Sequence, residues 1–323
     1  MDERTEIEQE SLNSAPPTLA VDLGGTNVRA AVVSSDGQII ARKQLPTRAH
    51  AGVEEVLTGV AEAVGVVAAE ARVAADAPVG VVLPGALDPV RGFLMIAPNL
   101  GWRDLPIRDL LATRLGRPVT IGNDVNAGAY GEWRYGAGQG TRDFVYIACG
   151  TGVGGGIIID GRLLLGRAGL AGEVGHMVVS LDGCLEAYAG GWAIEQAAQD
   201  LLDAGILSSL TDLMAERGEN LSGALINHAA QYDDGLAIEV LSRAGRALGF
   251  AVASLVHLFN PEAVVIGGGV ISAGPFLFDP MQEAIDVHLI EGFGQDLRVL
   301  PAALGQDSGL LGAAALARLT TAP

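Results

Sequence analysis

Thr18-Leu19-Ala20-Val21-Asp22-Leu23-Gly24-Gly25-Thr26-Asn27 carries an apolar run into a glycine turn, and Val28 to Ser34 resumes as a second strand. Asp36-Gly37 is a hairpin signal, so Gln38 to Leu45 is expected to complete a three-stranded meander. The pattern returns halfway along the chain. Phe144 to Ala148 is apolar, Cys149-Gly150-Thr151-Gly152-Val153-Gly154-Gly155-Gly156 reads as a turn, Ile157 to Ile159 resumes, and Asp160-Gly161 leads into Arg162 to Leu165. Laying Gly25-Thr26 on Gly150-Thr151 places Val32-Val33 on Ile157-Ile158, and one residue of slip places Asp36-Gly37 on Asp160-Gly161. This correspondence predicts a duplicated α/β unit, hence two lobes with a cleft between them. Two unrelated glycine-rich hairpins are the alternative.

Around these hairpins, Gly52 to Arg72 has helical spacing, and the strand Val79 to Leu83 stops at Pro84-Gly85. Val119-Thr120-Ile121-Gly122-Asn123-Asp124-Val125-Asn126-Ala127 is an apolar strand, a polar turn and a helix start, a plausible hinge. Ala237 to Phe259 reads as a helix ended by Asn260-Pro261, Ala263 to Ile266 as a buried strand emptying into Gly267-Gly268-Gly269, and Leu310 to Leu319 as a closing helix. The expected organisation is an acidic flexible tail over 1–17, an α/β lobe over 18–122, and a second over 123–307. The closing helix within 308–323 is expected to return to the first lobe.

Composition narrows the chemistry. Of 323 residues, 49% are apolar and 18% charged, which favours a packed body over disorder. A formal charge of −18 disfavours a nucleic-acid surface, which needs a local excess of Lys and Arg. Lys43 is the only lysine and no G-x-x-x-x-G-K-[ST] loop exists, which excludes Walker-type nucleotide binding and disfavours Schiff-base chemistry. Two cysteines, Cys149 and Cys184, fit a reducing compartment, so a cytoplasmic location is expected. The first residues carry Asp2, Glu3, Glu6, Glu8 and Glu10 against Arg4, unlike a signal peptide. Apolar runs break before the roughly 20 residues of a membrane span, so no membrane partner is expected.

Three glycine turns follow apolar strands: Gly24-Gly25-Thr26, Gly150 to Gly156, and Gly267 to Gly269. Amides without neighbouring side chains can face phosphate oxygens, and Thr26 and Thr151 add hydroxyls, so the set points to a polyphosphate ligand. Asp22, ending the first strand, is a candidate to hold Mg²⁺ through water; the alternative is an Asp that stabilises the turn. Asp124 is a candidate base for a hydroxyl proton, although Asn123-Asp124 is also an ordinary helix-capping pair. Glu173, His176 and Glu186, with Asn99 in Pro98-Asn99, are polar residues set among small ones, as a polyhydroxylated ligand requires. His176 taken alone is more often a satisfied core histidine. Cys149, beside the second turn, is either a reactive thiol or a small buried hydrophobe.

Together these motifs resemble the ROK family of sugar kinases and sugar-responsive repressors with the duplicated, ribonuclease H-like fold of the actin-like ATPases. The resemblance covers Thr18 to Leu319. Asp22-Leu23-Gly24-Gly25-Thr26-Asn27 is similar to the first phosphate motif, the run containing Gly150, Thr151, Gly152 and Gly154 to the second, Ile266 to Val270 to the adenosine motif, and Gly122 to Ala127 to the segment bearing the catalytic aspartate. The resemblance implies ATP and Mg²⁺ as nucleotide and metal, with a sugar held by Asn99, Asn123, Asp124, Glu173, His176 and Glu186. It also implies that Asp124 draws the proton from the 6-hydroxyl of glucose. Other acceptors it allows are fructose, mannose, N-acetylglucosamine and N-acetylmannosamine, and polyphosphate is an alternative donor. Family members commonly form dimers, so a homodimer is the assembly it implies. The pattern departs after His176: of a zinc site with one histidine and three cysteines, only His176 and Cys184 remain, and no zinc is expected. Rival readings are a repressor, for which an acidic stretch of about seventeen residues before the first strand makes a poor helix-turn-helix, and a catalytically silent sugar binder.

Overall fold

The computed structural model describes residues 16–319. Residues 1–15 of the expected tail and 320–323 of the expected closing segment lie outside the described residues. The chain divides into two compact units, one formed by residues 16–140, 163–171 and 306–319, the other by 141–162 and 172–305.

In the first unit, β1 (Thr18–Leu23), β2 (Asn27–Val33), β3 (Ile39–Pro46), β4 (Val79–Leu83) and, later in the chain, Val119–Asn123 form one sheet. Between them, β5 (Ala86–Asp88), β6 (Phe93–Ala97) and β7 (Trp102–Leu105) make a separate three-stranded sheet, so Val119–Asn123 is β8. The main order is β3-β2-β1-β4-β8, antiparallel through the meander and parallel across β1, β4 and β8. Helix α1 (Val53–Glu70) buries Val56, Leu57, Val60, Val64 and Val67, a stripe at three- and four-residue spacing that packs into one core with Leu19, Val21 and Leu23. After α2 (Ile107–Leu115) comes α3 (Asp124–Tyr135), followed in space by the closing helix Ser308–Leu319.

The closing helix lies on β1, β4 and β8 because the strands make room for it: a Cβ at Gly80 would collide with the Ala313 carbonyl oxygen. The same device joins it to α3, where Cβ atoms at Gly131 or Gly312 would collide with backbone of the opposite helix. This packing holds residues 123–140 in the first unit, whereas the sequence reading drew its boundary after Gly122.

The second unit repeats the plan with β9 (Phe144–Cys149), β10 (Val153–Ile159), β11 (Arg162–Leu163) and two strands from much later in the chain. A short hairpin, β12 (Val178–Ser180) and β13 (Gly183–Cys184), precedes helices α4 (Glu186–Ala189), α5 (Gly191–Asp203), α6 (Leu210–Arg217), α7 (Gly223–Ala230) and α8 (Gly235–Phe259). Then follow β14 (Ala263–Gly267), α9 (Pro275–His288) and β15 (Arg298–Pro301). The order β11-β10-β9-β14-β15 has the same sequence of antiparallel and parallel pairings as the first sheet. Duplication is therefore a property of topology as well as of motif.

One expectation changes. The run Gly150 to Gly156 is not a single turn: β10 begins at Val153, and Gly154, Gly155 and Gly156 pair with Ala148, Ile147 and Tyr146. A Cβ at Gly155 would press on the Val174 side chain at 2.9 Å, so this glycine is needed for packing. Among the described residues, no helix is long and apolar enough to cross a membrane.

Candidate active site

In the first unit the turn Gly24 to Thr26 joins β1 to β2, closed by the Gly24 amide on the Asn27 carbonyl at 2.9 Å. Thr47 donates its hydroxyl to the Gly24 carbonyl at 2.6 Å and fixes the turn from beneath. A Cβ at Gly25 would lie 3.1 Å from the Asn99 carbonyl oxygen, so the Pro98–Leu100 turn reaches the first glycine cradle and brings exposed Asn99 beside it. Asp22 is buried, and its Oδ2 is ion-paired with Arg29, its register partner on β2. Arg29 also donates to the Gln306 carbonyl at 2.8 Å, which ties this pair to the approach of the closing helix.

Asn123 ends β8 and caps α3. Its Oδ1 accepts from the Val125 and Asn126 amides at 2.9 and 3.1 Å, while its Nδ2 donates to the Gly85 carbonyl at 3.2 Å. Asn123 therefore makes the main cap, with Asp124 Oδ1 accepting from the Val125 amide as well at 3.0 Å, and one amide hydrogen of Asn123 remains for a ligand. Asp124 is the first helical residue, where the helix N-terminus favours negative charge. A Cβ at Gly309 would meet Asp22 Oδ2 at 3.4 Å and the Asp124 carbonyl at 3.8 Å, so both aspartates adjoin the start of the closing helix.

In the second unit the turn Gly150 to Gly152 is closed by the Gly150 amide on the Gly152 carbonyl at 2.9 Å. Its carbonyls are taken by the start of α5: Gly191 donates to Gly150 at 2.9 Å and Trp192 to Thr151 at 3.3 Å. The third turn reaches the second directly, because Gly268, at φ 86°, presses against the Cys149 backbone where any Cβ would collide. Gly150 and Gly269 have nothing within 4 Å of the position a Cβ would take, which is the open face a phosphate or ribose requires. Gly267 differs: it is buried in β14 against the Tyr146 ring, a packing position.

Glu186 is anchored to this turn. Its Oε2 accepts from the Val153 amide at 2.8 Å and covers Gly152 so closely that a side chain there would collide with it. Gly175 packs against the carbonyl of the same Val153, which draws the short 3-10 helix Val174–His176 onto β10. Glu173 and His176 flank that helix and are exposed. Thus Glu186 is bonded to the first residue after the second turn, and the short helix bearing Glu173 and His176 is seated on the same residue through Gly175.

Cys149 is fully buried and burial pushes its thiol up to about 12, which makes it a small hydrophobe and not a nucleophile. Cys184 is half-buried on β13. Among the described residues no group of three or more His, Cys, Asp or Glu is placed to hold a metal ion. Magnesium asks less, since one carboxylate oxygen can hold it through water while phosphates complete its shell; Asp22 Oδ1, outside the Arg29 pair, is a hard oxygen of that kind. Sequence reasoning missed Arg29 and Glu132. The latter is a fully buried carboxylate that accepts from Ser308 Oγ at 2.8 Å and from the Ala137 amide at 3.1 Å. Arg29 was readable from hairpin register opposite Asp22, but the Glu132 partner 176 residues away left no local sign.

The description of the ROK family matches residues 18–320. The glucokinase of Thermotoga maritima is 36% identical over 92% of this chain and 96% of its own length. A ROK family glucokinase from Streptomyces griseus, solved in complex with glucose and AMPPNP, superposes with a TM-score of 0.79 at 36% identity, covering 94% of this chain and 100% of that one. The ROK hexokinase from Thermus thermophilus gives 0.80 at 33% identity, covering 95% and 99%. The fold is the actin-like α/β fold that the family resemblance implied.

Proposed function

Since the chain belongs to the ROK family, we propose that it is an ATP-dependent sugar kinase that transfers the terminal phosphate to the 6-hydroxyl of glucose, with Asp124 as general base. Supporting this reading above all is the second unit's arrangement, in which Glu186 accepts from Val153, the residue that follows the phosphate turn, and covers Gly152 within it. Sugar-binding and phosphate-binding groups are there built on one piece of backbone.

In this mechanism Asn99, Glu173, His176 and Glu186 hold the sugar hydroxyls, with Asn123 contributing its remaining amide hydrogen. Gly24, Gly25, Thr26 and Asn27 in one unit, and Gly150, Thr151, Gly152 and Gly269 in the other, present amides and hydroxyls to phosphate oxygens. Gly268 orients the third turn by its contact with Cys149. Gly154 and Gly267 act through the strands they belong to. Asp124 takes the hydroxyl proton as the oxygen attacks the terminal phosphorus; the bond to the bridging oxygen breaks and ADP leaves. Asp22 would hold Mg²⁺ through water, and that ion supplies charge neutralisation for the phosphates, needed where the only lysine is Lys43. The setting is carbohydrate metabolism in the cytoplasm, with a homodimer as the assembly.

The test is a panel of glucose, fructose, mannose, N-acetylglucosamine and N-acetylmannosamine with ATP or polyphosphate as donor, the phosphorylated position being read by NMR. Glucose 6-phosphate with ATP is the expected dominant product. Turnover confined to another sugar would overturn the glucose assignment.

A further inference from the structure

Glu186 and His176 sit at the two ends of an excursion of nine residues, Met177 to Leu185. The ends are tied by the Leu185 amide on the Met177 carbonyl at 2.8 Å, and the strands β12 and β13 pair only at Val178 with Cys184 and Ser180 with Gly183. So short a ribbon is marginal by itself. Apolar burial does not hold it either, because Val178 is 80% exposed and Leu181 at the tip is fully exposed.

What reaches the far end of the ribbon is Tyr188. It lies on α4, two residues after Glu186, and its hydroxyl is 2.7 Å from Ser180 Oγ at the end of β12. Its ring runs along Gly183, 3.4 Å from where a Cβ would be, and carries the Arg243 guanidinium of α8 at 4.8 Å from the ring centroid. Ser180 Oγ also accepts from the Asp182 amide at 3.0 Å, which closes the tip. The carboxylate of Glu186 is therefore held by Val153, while the helix that carries it is tied to the ribbon by a clasp made of Ser180, Tyr188 and Arg243.

We propose that Tyr188 and Ser180 are positioning residues for sugar recognition: their hydrogen bond sets the ribbon, and through it the placement of His176 and Glu186 against the phosphate turn. This rests on the assignment of those two residues to the sugar. Neither Tyr188 nor Ser180 touches substrate in this scheme. Tyr188→Phe removes the hydroxyl while keeping the ring under Arg243, and Ser180→Ala removes its partner.

Each variant is expected to raise the KM for sugar about tenfold, the worth of one good hydrogen bond. kcat should stay within about twofold and the KM for ATP should not move. The double variant should be no worse than either single one, as expected of two atoms sharing one bond. Ser180→Thr should restore the wild-type KM. Amide exchange of Val153 and Leu185, measured on the free protein, should quicken in Tyr188→Phe, reporting the clasp without turnover. Unchanged exchange, or faster exchange with an unchanged KM for sugar, overturns the proposal. Should the wild type phosphorylate no hexose, the kinase reading falls; binding of each sugar by calorimetry then replaces KM, and equal affinity in wild type and Tyr188→Phe overturns the clasp.

Discussion

At the scale of single residues, Asn123 and Asp124 stand side by side at the start of α3. Asn123 spends its carbonyl oxygen on the Val125 and Asn126 amides, and Asp124 Oδ1 also accepts from Val125 at 3.0 Å, so the carboxylate is held at the helix N-terminus. Replacing Asp124 with Asn keeps the size and the hydrogen-bonding pattern but removes the base. The kcat is expected to fall by about 10² to 10⁴, with sugar affinity by calorimetry changed little; a variant that keeps its rate refutes the assignment. The two cysteines make a second contrast. Cys149, its thiol raised to about 12 by burial, should resist iodoacetamide at pH 8 in the native protein, whereas half-buried Cys184 should react. Peptide mapping distinguishes them, and native-state alkylation of Cys149 would contradict the buried placement.

Among the elements, α8 shows what an anchored helix end is worth. Asp234 caps it by accepting from the Ala237 amide at 3.0 Å, and the same carboxylate collects the Ser209 amide and the hydroxyls of Ser208 and Ser209. Burial by itself would raise this carboxyl, but those donors outweigh it and hold it below the usual carboxylate range. A lowered value in the folded state means that the stabilisation is complete above the unfolded value, about 3.9, and fades as pH falls through the folded one. Urea unfolding of Asp234→Ala should show a loss of about 1–2 kcal/mol at pH 7, and the difference from wild type should shrink below about pH 4. A constant difference down to pH 3 contradicts the role of its charge. Elements also mark where the sequence was legible. The meander, α1, α8 and β14 were readable from periodicity and from Asn260-Pro261. The end of the second glycine turn was not, because Gly155 is glycine on account of Val174, and Gly267 on account of Tyr146, contacts that no local pattern records.

For the molecule as a whole, two sheets with one strand order account for why a motif comparison could find the plan of both halves from a single hairpin. The candidate residues were legible as types, since carboxylates and amides among glycines have few other uses, but the bond of Glu186 to Val153 needed the backbone to be folded. The ribbon between His176 and Glu186 is held by hydrogen bonds and a stacked guanidinium. Purified protein should accordingly contain zinc well below one atom per chain by elemental analysis, and stoichiometric zinc would refute that account. The closing helix has a consequence for how the chain is made. Arg318 reaches back to Thr18 at 2.9 Å and to the carbonyls of Val33 and Ser34 at 2.8 Å, so β1 and β2 wait for a helix nearly 300 residues further along before that face is covered. During synthesis the second unit can mature before the first is closed, which leaves the meander exposed to chaperones and proteases until the helix over 308–319 has been made.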